Sequence, residues 1–170
     1  MRLTTTLLLT TLLAVALLTG CSGSKASTSA DGSGPADTAP VSSQAEGVAI
    51  LGKVAGSDLN LTSYYLGVLD DAAVAQFNLA PQFAERGVAL DLDQHSVVLF
   101  SLGEQTTAGF EADILAMQRK GNELFVQGTA AAPSPDAAVA QQITTPFCAV
   151  AVAKLPANLT VRSDITSLVE

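Results

Sequence analysis

The chain has 170 residues, 48% hydrophobic and 5% aromatic, and its 16 acidic residues against 8 basic ones give a net charge of −8. That length fits one domain, and the acidic balance excludes a nucleic-acid partner, whose phosphates demand clustered Lys and Arg. One His, two Cys and no Trp leave too few ligands for most zinc sites and no aromatic stacking platform, so neither a metal nor a cofactor is expected.

The first segment reads as an address. Arg2 supplies a positive start, and Leu7 to Leu18 is mostly aliphatic. A membrane span needs ~20 apolar residues, so this run has the size of a signal-peptide core. It is followed by Leu18-Thr19-Gly20-Cys21, which resembles the lipobox of bacterial lipoproteins. The resemblance implies that residues 1–20 are removed and that Cys21 becomes a lipidated N-terminus. The chain is then anchored to the bacterial cell envelope, at the outer membrane or cell surface. An ordinary secretory signal with an incidental Cys is the alternative. Each buried acyl CH₂ contributes ~0.8 kcal/mol, so several chains hold a domain on a membrane. Residues 21–46 read as a tether of Ser, Gly, Ala, Thr and Pro without apolar periodicity. The folded domain is expected over Val48–Glu170.

Val48 to Val54 predicts a first strand. Leu66 to Phe77 reads as a short helix capped by Asp70 or Asp71, with Leu69, Ala73, Val74 and Phe77 on one face. Pro81 and Gly87 end that region. Val97 to Leu102 is β-branched and aromatic, as in a buried strand. From Phe110 to Gln118, Phe110, Ala112, Ile114 and Ala116 face one way and Glu111 and Asp113 the other. Arg119 to Asn122 is a turn, and Leu124 to Gln127 pairs back. Phe147 to Ala153 alternates Cys148, Val150 and Val152 with the smaller Ala149 and Ala151, and Leu159 to Arg162 forms a last strand. The sum is an all-β fold with one or two short helices, a small antiparallel β-sandwich or partly open barrel.

Candidate chemistry is sparse. Cys148 and His95 are the one thiol–imidazole pair left once Cys21 is lipidated, yet Cys148 sits among small apolar residues, as a core thiol does. Asp91, Asp93 and His95 alternate at strand spacing and read as a solvated edge before the Val97 run; the calcium-loop pattern fails at Ser96 and Leu102. No catalytic residue and no metal ligand is assigned. The hexapeptide Asp71-Ala72-Ala73-Val74-Ala75-Gln76 recurs at Asp136 to Gln141, which reads as chance or one-turn helix chemistry. Gly103 to Phe110 links two predicted strands, with glycines for tight geometry and Thr hydroxyls for local bonding. It is read as a hairpin loop, and Gly103, Thr106, Thr107, Gly109 and Phe110 are the candidate protein-contact residues.

Four segments together carry a second resemblance: Val97 to Gly103, Thr107 to Phe110, Pro133 to Pro135, and Thr144-Thr145-Pro146-Phe147 before a strand ending at Lys154. They look like the C-terminal domain of the protease-complex subunit PrcB, over roughly Val88 to Lys154. Thr106 stands where that family favours Pro, Ala108 where it has Gly, and Phe110 and Phe147 where it has Tyr. The resemblance implies a non-catalytic module that binds another envelope or surface protein, a protease complex among them, and makes Thr144 to Phe147 a second candidate turn. The Thr-x-Gly-aromatic loop also resembles the plugging loop of chagasin-type cysteine-protease inhibitors, an alternative that uses Thr106 to Phe110. A small-ligand-binding lipoprotein is the remaining alternative.

Overall fold

The structure, a computed structural model, describes residues 44–169. The leader, Cys21 and the tether up to residue 43 therefore lie outside the described residues. The elements run β1 (Glu46–Gly47), β2 (Ile50–Gly56), β3 (Tyr65–Leu69), α1 (Asp71–Gln76), α2 (Leu79–Glu85), β4 (His95–Ser101), β5 (Glu111–Lys120), β6 (Glu123–Ala132), β7 (Phe147–Ala153) and β8 (Thr160–Val169). They form two four-stranded sheets, ordered β1-β5-β6-β8 and β2-β7-β4-β3. The fold is a small β-sandwich with two short helices, and no sheet closes into a barrel.

The core has two compartments, which explains why β4 and β7 read as unbroken apolar runs. Val98, Phe100, Cys148, Val150 and Val152 meet Ala112, Ile114, Met117, Leu124 and Val126 of the opposite sheet. Val97, Leu99, Phe147, Ala149 and Ala151 face the other way, onto Val74, Leu79 and Phe83 of the helices. Strands buried on both faces lose the polar alternation of a half-exposed strand. The alternation that survives in β7 is one of size: its valines fill the space between the sheets, and its alanines lie under the helices. Six and seven residues are too few for helices to persist alone. They persist because Val74 of α1 and Leu79 and Phe83 of α2 are buried, each such side chain stabilising by roughly 1.5–3 kcal/mol.

Several expectations need correction. Leu66 to Leu69 belongs to β3, pairing with β4 from Tyr65↔Ser101 to Leu69↔Val97. The predicted helix is thus shortened to its second half, where the Asp70 carboxylate accepts the Ala73 N–H at 2.7 Å. The expected helical face does assemble, but Leu69 reaches it from a strand. Pro81 does not end a helix. It lies in the first turn of α2, where an N–H would have no intrahelical acceptor. Ala116 does not share the face of Ala112 and Ile114: the register shifts between Ile114 and Ala116, so Met117 takes the interior position and Leu115 turns out, 57% exposed. A bulge spends one extra residue and reverses the alternation beyond it. The β5–β6 hairpin forms as expected around Gly121-Asn122, with Gly121 at φ 58°, where a two-residue loop favours glycine. The last strand is longer than expected and pairs parallel with β6, the one parallel strand pairing among the described residues. The repeated hexapeptide forms α1 at its first occurrence and no helix at its second.

Candidate functional site

The segment from Gly103 to Phe110 is not a hairpin loop. β4 and β5 lie in different sheets, so it crosses from one layer of the sandwich to the other. A crossing segment has no ladder of its own, and its backbone groups find partners on two neighbouring connections, β2–β3 and β6–β7. Gln105 and Thr144 exchange both backbone hydrogen bonds, at 2.8 and 3.0 Å, and the Ala108 N–H donates to the Ala140 carbonyl at 3.0 Å. The Glu104 N–H donates to the Thr62 carbonyl at 3.3 Å. The Thr144 hydroxyl donates to the Thr107 carbonyl at 3.0 Å. At the loop's start, Ser101 bridges: its hydroxyl donates to the Pro146 carbonyl and accepts the Gly103 N–H.

These bonds bring together three of the four segments singled out in the sequence, and packing at Gly109 adds the fourth, at Pro133. Thr144 to Phe147 forms the floor, each residue buried, so this turn holds the loop in place and does not itself form surface. Gly109 closes against Pro133 and Val139: a Cβ there would lie 3.0 Å from the proline ring and 3.1 Å from the valine methyl. Above the floor, Thr106 and Gly109 are exposed, Thr107 and Phe110 are half-buried, and Gly103 is buried. Phe110 stands between two surface clefts. One, of about 550 Å³, lies between Ala55-Gly56-Ser57 at the end of β2 and Glu111 to Asp113 at the start of β5. The other, of about 250 Å³, is lined by Leu102, Gln105, Ala130 to Ala132 and Leu168. Ile143, missed in the sequence, is 70% exposed beside this floor. Its signal was there: a lone aliphatic side chain after Gln141-Gln142. The result is a loop held at fixed points, presenting a hydroxyl, an aromatic ring and an aliphatic side chain to solvent. A loop already ordered loses little conformational entropy when a partner binds.

The other candidates are placed apart from the loop's surface and from one another. Cys148 pairs with Phe100 and His95 with Ala153, five positions along β4, or roughly 17 Å at strand rise. The Cys148 thiol is fully buried and donates to Asp113 Oδ1 at 3.5 Å. Burial first, and then the Asp113 charge, push its pKa up to about 12, against the opposing pull of the Ile114 backbone bond and Lys53. It is a core thiol that keeps its proton, far from the imidazole. Lys53 Nζ meets the same Asp113 oxygen at 2.7 Å, tying β2 to β5. Asp91, Asp93 and His95 do not alternate along a strand. Asp91 Oδ1 accepts the Asp93 N–H, His95 Nδ1 accepts the Asp91 N–H, and the segment closes on itself as a turn.

No curated protein and no solved structure matches the chain. A family model described as PrcB C-terminal matches residues 96–153, a third of the chain. The match begins in β4, ends with β7, and contains both the crossing loop and its buried floor. Over those residues, the chain is similar to the PrcB C-terminal family.

Proposed function

We propose that the chain is a lipid-anchored, non-catalytic protein of the bacterial envelope, whose Thr106–Phe110 loop contacts a protein partner, a surface protease complex being the class the family suggests. The observation that carries this reading is the loop's construction. Two connections, at Thr62 and at Ala140 and Thr144, spend backbone hydrogen bonds on holding it, while Thr106, Gly109 and Ile143 stay exposed. The non-catalytic part is supported by the separation of Cys148 from His95 and by the thiol's high pKa, which withholds the thiolate a nucleophile needs.

The test uses the anchored chain in its own cells. Thr106→Arg places a long cation on the exposed crest and leaves the floor intact; it weakens capture of the native partner about tenfold or more, as loss of a central contact does. Leu115→Arg, on the outer face of β5, leaves capture unchanged. Equal capture by both variants contradicts the loop as the contact. Loss of envelope association on Cys21→Ser tests the anchor separately.

A further inference from the structure

The outer edge of β8 has a pattern that fits a second copy of itself. β8 is a ten-residue strand at the end of its sheet, and no described residue pairs with its far side. Such an edge presents a row of free N–H and C=O groups. The phase is readable. The Thr160 N–H donates to Asn122, the residue before its β6 partner, so even-numbered residues of β8 direct their backbone groups to β6. In a parallel ladder the alternate residues point the other way, so Val161, Ser163, Ile165 and Ser167 offer theirs to the free edge. Val161 and Ile165 pack on the core, which puts Arg162 and Asp164 on the opposite, solvent face, both exposed.

We infer that two copies of this chain pair β8 with β8 in antiparallel fashion, about a two-fold axis through Ser163. In that register Arg162 faces Asp164 of the other copy, twice, and Val161 faces Ile165, twice. Both fall where the geometry rewards them. The odd residues form the hydrogen-bonded pairs. The charges fall at the non-hydrogen-bonded pairs, where opposed side chains come closest. The neighbouring registers of the same phase fail: one sets Arg162 against Arg162, the other Asp164 against Asp164. A one-residue slip turns the core-facing residues outward. Charges on an edge usually repel a second strand; these two, of opposite sign and two apart, admit one self-pairing and exclude its neighbours. Arg162 already holds Glu123 at 3.1 Å, so in the pair it lies between two carboxylates. Tyr64, 56% exposed, lies near Ser163 and so beside the axis.

The experiment is a charge-exchange series on the full chain in mild detergent, with mass read by sedimentation and fold checked by circular dichroism. The natural chain is a dimer at high micromolar concentration. Arg162→Asp and Asp164→Arg each weaken it about tenfold or more, and the double exchange restores it. Oxidation gives a second readout independent of those charges. A Ser163→Cys chain, altered on the axis, forms a disulfide-linked dimer, whereas Thr166→Cys, which faces Thr160, does not. A monomeric natural chain, a dimer indifferent to single exchanges, or a double exchange that fails to restore it overturns the inference. Thr106→Arg leaves the dimer intact, so this outcome is separate from that of the proposed contact loop.

Discussion

A side chain at position 103 would meet backbone on its arrival. Gly103 takes φ 73°, and a Cβ there would lie 2.6 Å from the Ser63 carbonyl carbon and 2.8 Å from the Tyr64 nitrogen. Neither atom belongs to a side chain that can swing aside. Gly103→Ala therefore costs about 2 kcal/mol or more in denaturant unfolding and loosens the loop built on it. At Cys148 the expectation concerns pH. A thiol titrating near 12 in the fold keeps its proton where the unfolded chain loses it, from about pH 9 upward. Protons then favour the folded state, so stability falls as pH rises through that window, by about 1.4 kcal/mol per unit for this group. Tyr64 and Tyr65, also raised by burial, add to the fall with the same sign. Cys148→Ala unfolds with a shallower pH dependence between 9 and 12; an unchanged slope removes the thiol from the account. At this scale the sequence was informative about Cys148, whose small apolar neighbours declared a core. It was silent on Ser101, because a buried serine bridging to a proline carbonyl 45 positions on has no local pattern.

Among the elements, α1 shows how little separates helix from loop. The hexapeptide Asp-Ala-Ala-Val-Ala-Gln is helical after Asp70 and irregular after Pro135. Asp70 supplies an oxygen for the Ala73 N–H, and proline has none to offer at the equivalent place. Val74 then finds a buried site at 2% exposure, while Val139 packs near Gly109. Asp70→Ala destabilises the fold by about 1 kcal/mol, measured as a shift in thermal midpoint, and Asp71→Ala by less. The β5–β6 hairpin was legible because Gly121-Asn122 and a two-residue period are local. The strand at Tyr65 to Leu69 was not, since its apolar residues fit a helical face as well as a strand, and only its pairing with β4 decides between them. The bulge at Leu115 was hidden for a similar reason: one extra residue leaves no mark in composition, and it sends an apolar side chain to the surface.

For the molecule as a whole, the sandwich could be read and the way it is threaded could not. Short apolar runs separated by turns announce sheets. Which sheet a strand joins depends on contacts between distant segments, so the loop between β4 and β5 looked like a hairpin and proved to be a crossing. The parallel pairing of β6 with β8 was hidden likewise. The candidate site was legible in its parts, as four short motifs, and their meeting place came from the crossing. Deleting that support has a defined cost. Thr144→Val removes the hydroxyl bonded to Thr107 and keeps the shape; it lowers stability by roughly 1 kcal/mol and weakens partner capture through a loosened loop. A variant with natural capture would mean the support does not matter to binding.

The loop as the face that meets a partner is tested most directly in intact cells, by a photoreactive residue placed at Thr106 or at Leu115. Both positions are exposed, on different parts of the surface, so they differ in what they meet and not in reach. The account predicts that light joins the Thr106 chain to one protein, a subunit of a surface protease assembly, and that the Leu115 chain gives no such product. The same product from both positions, or none from Thr106, would contradict it.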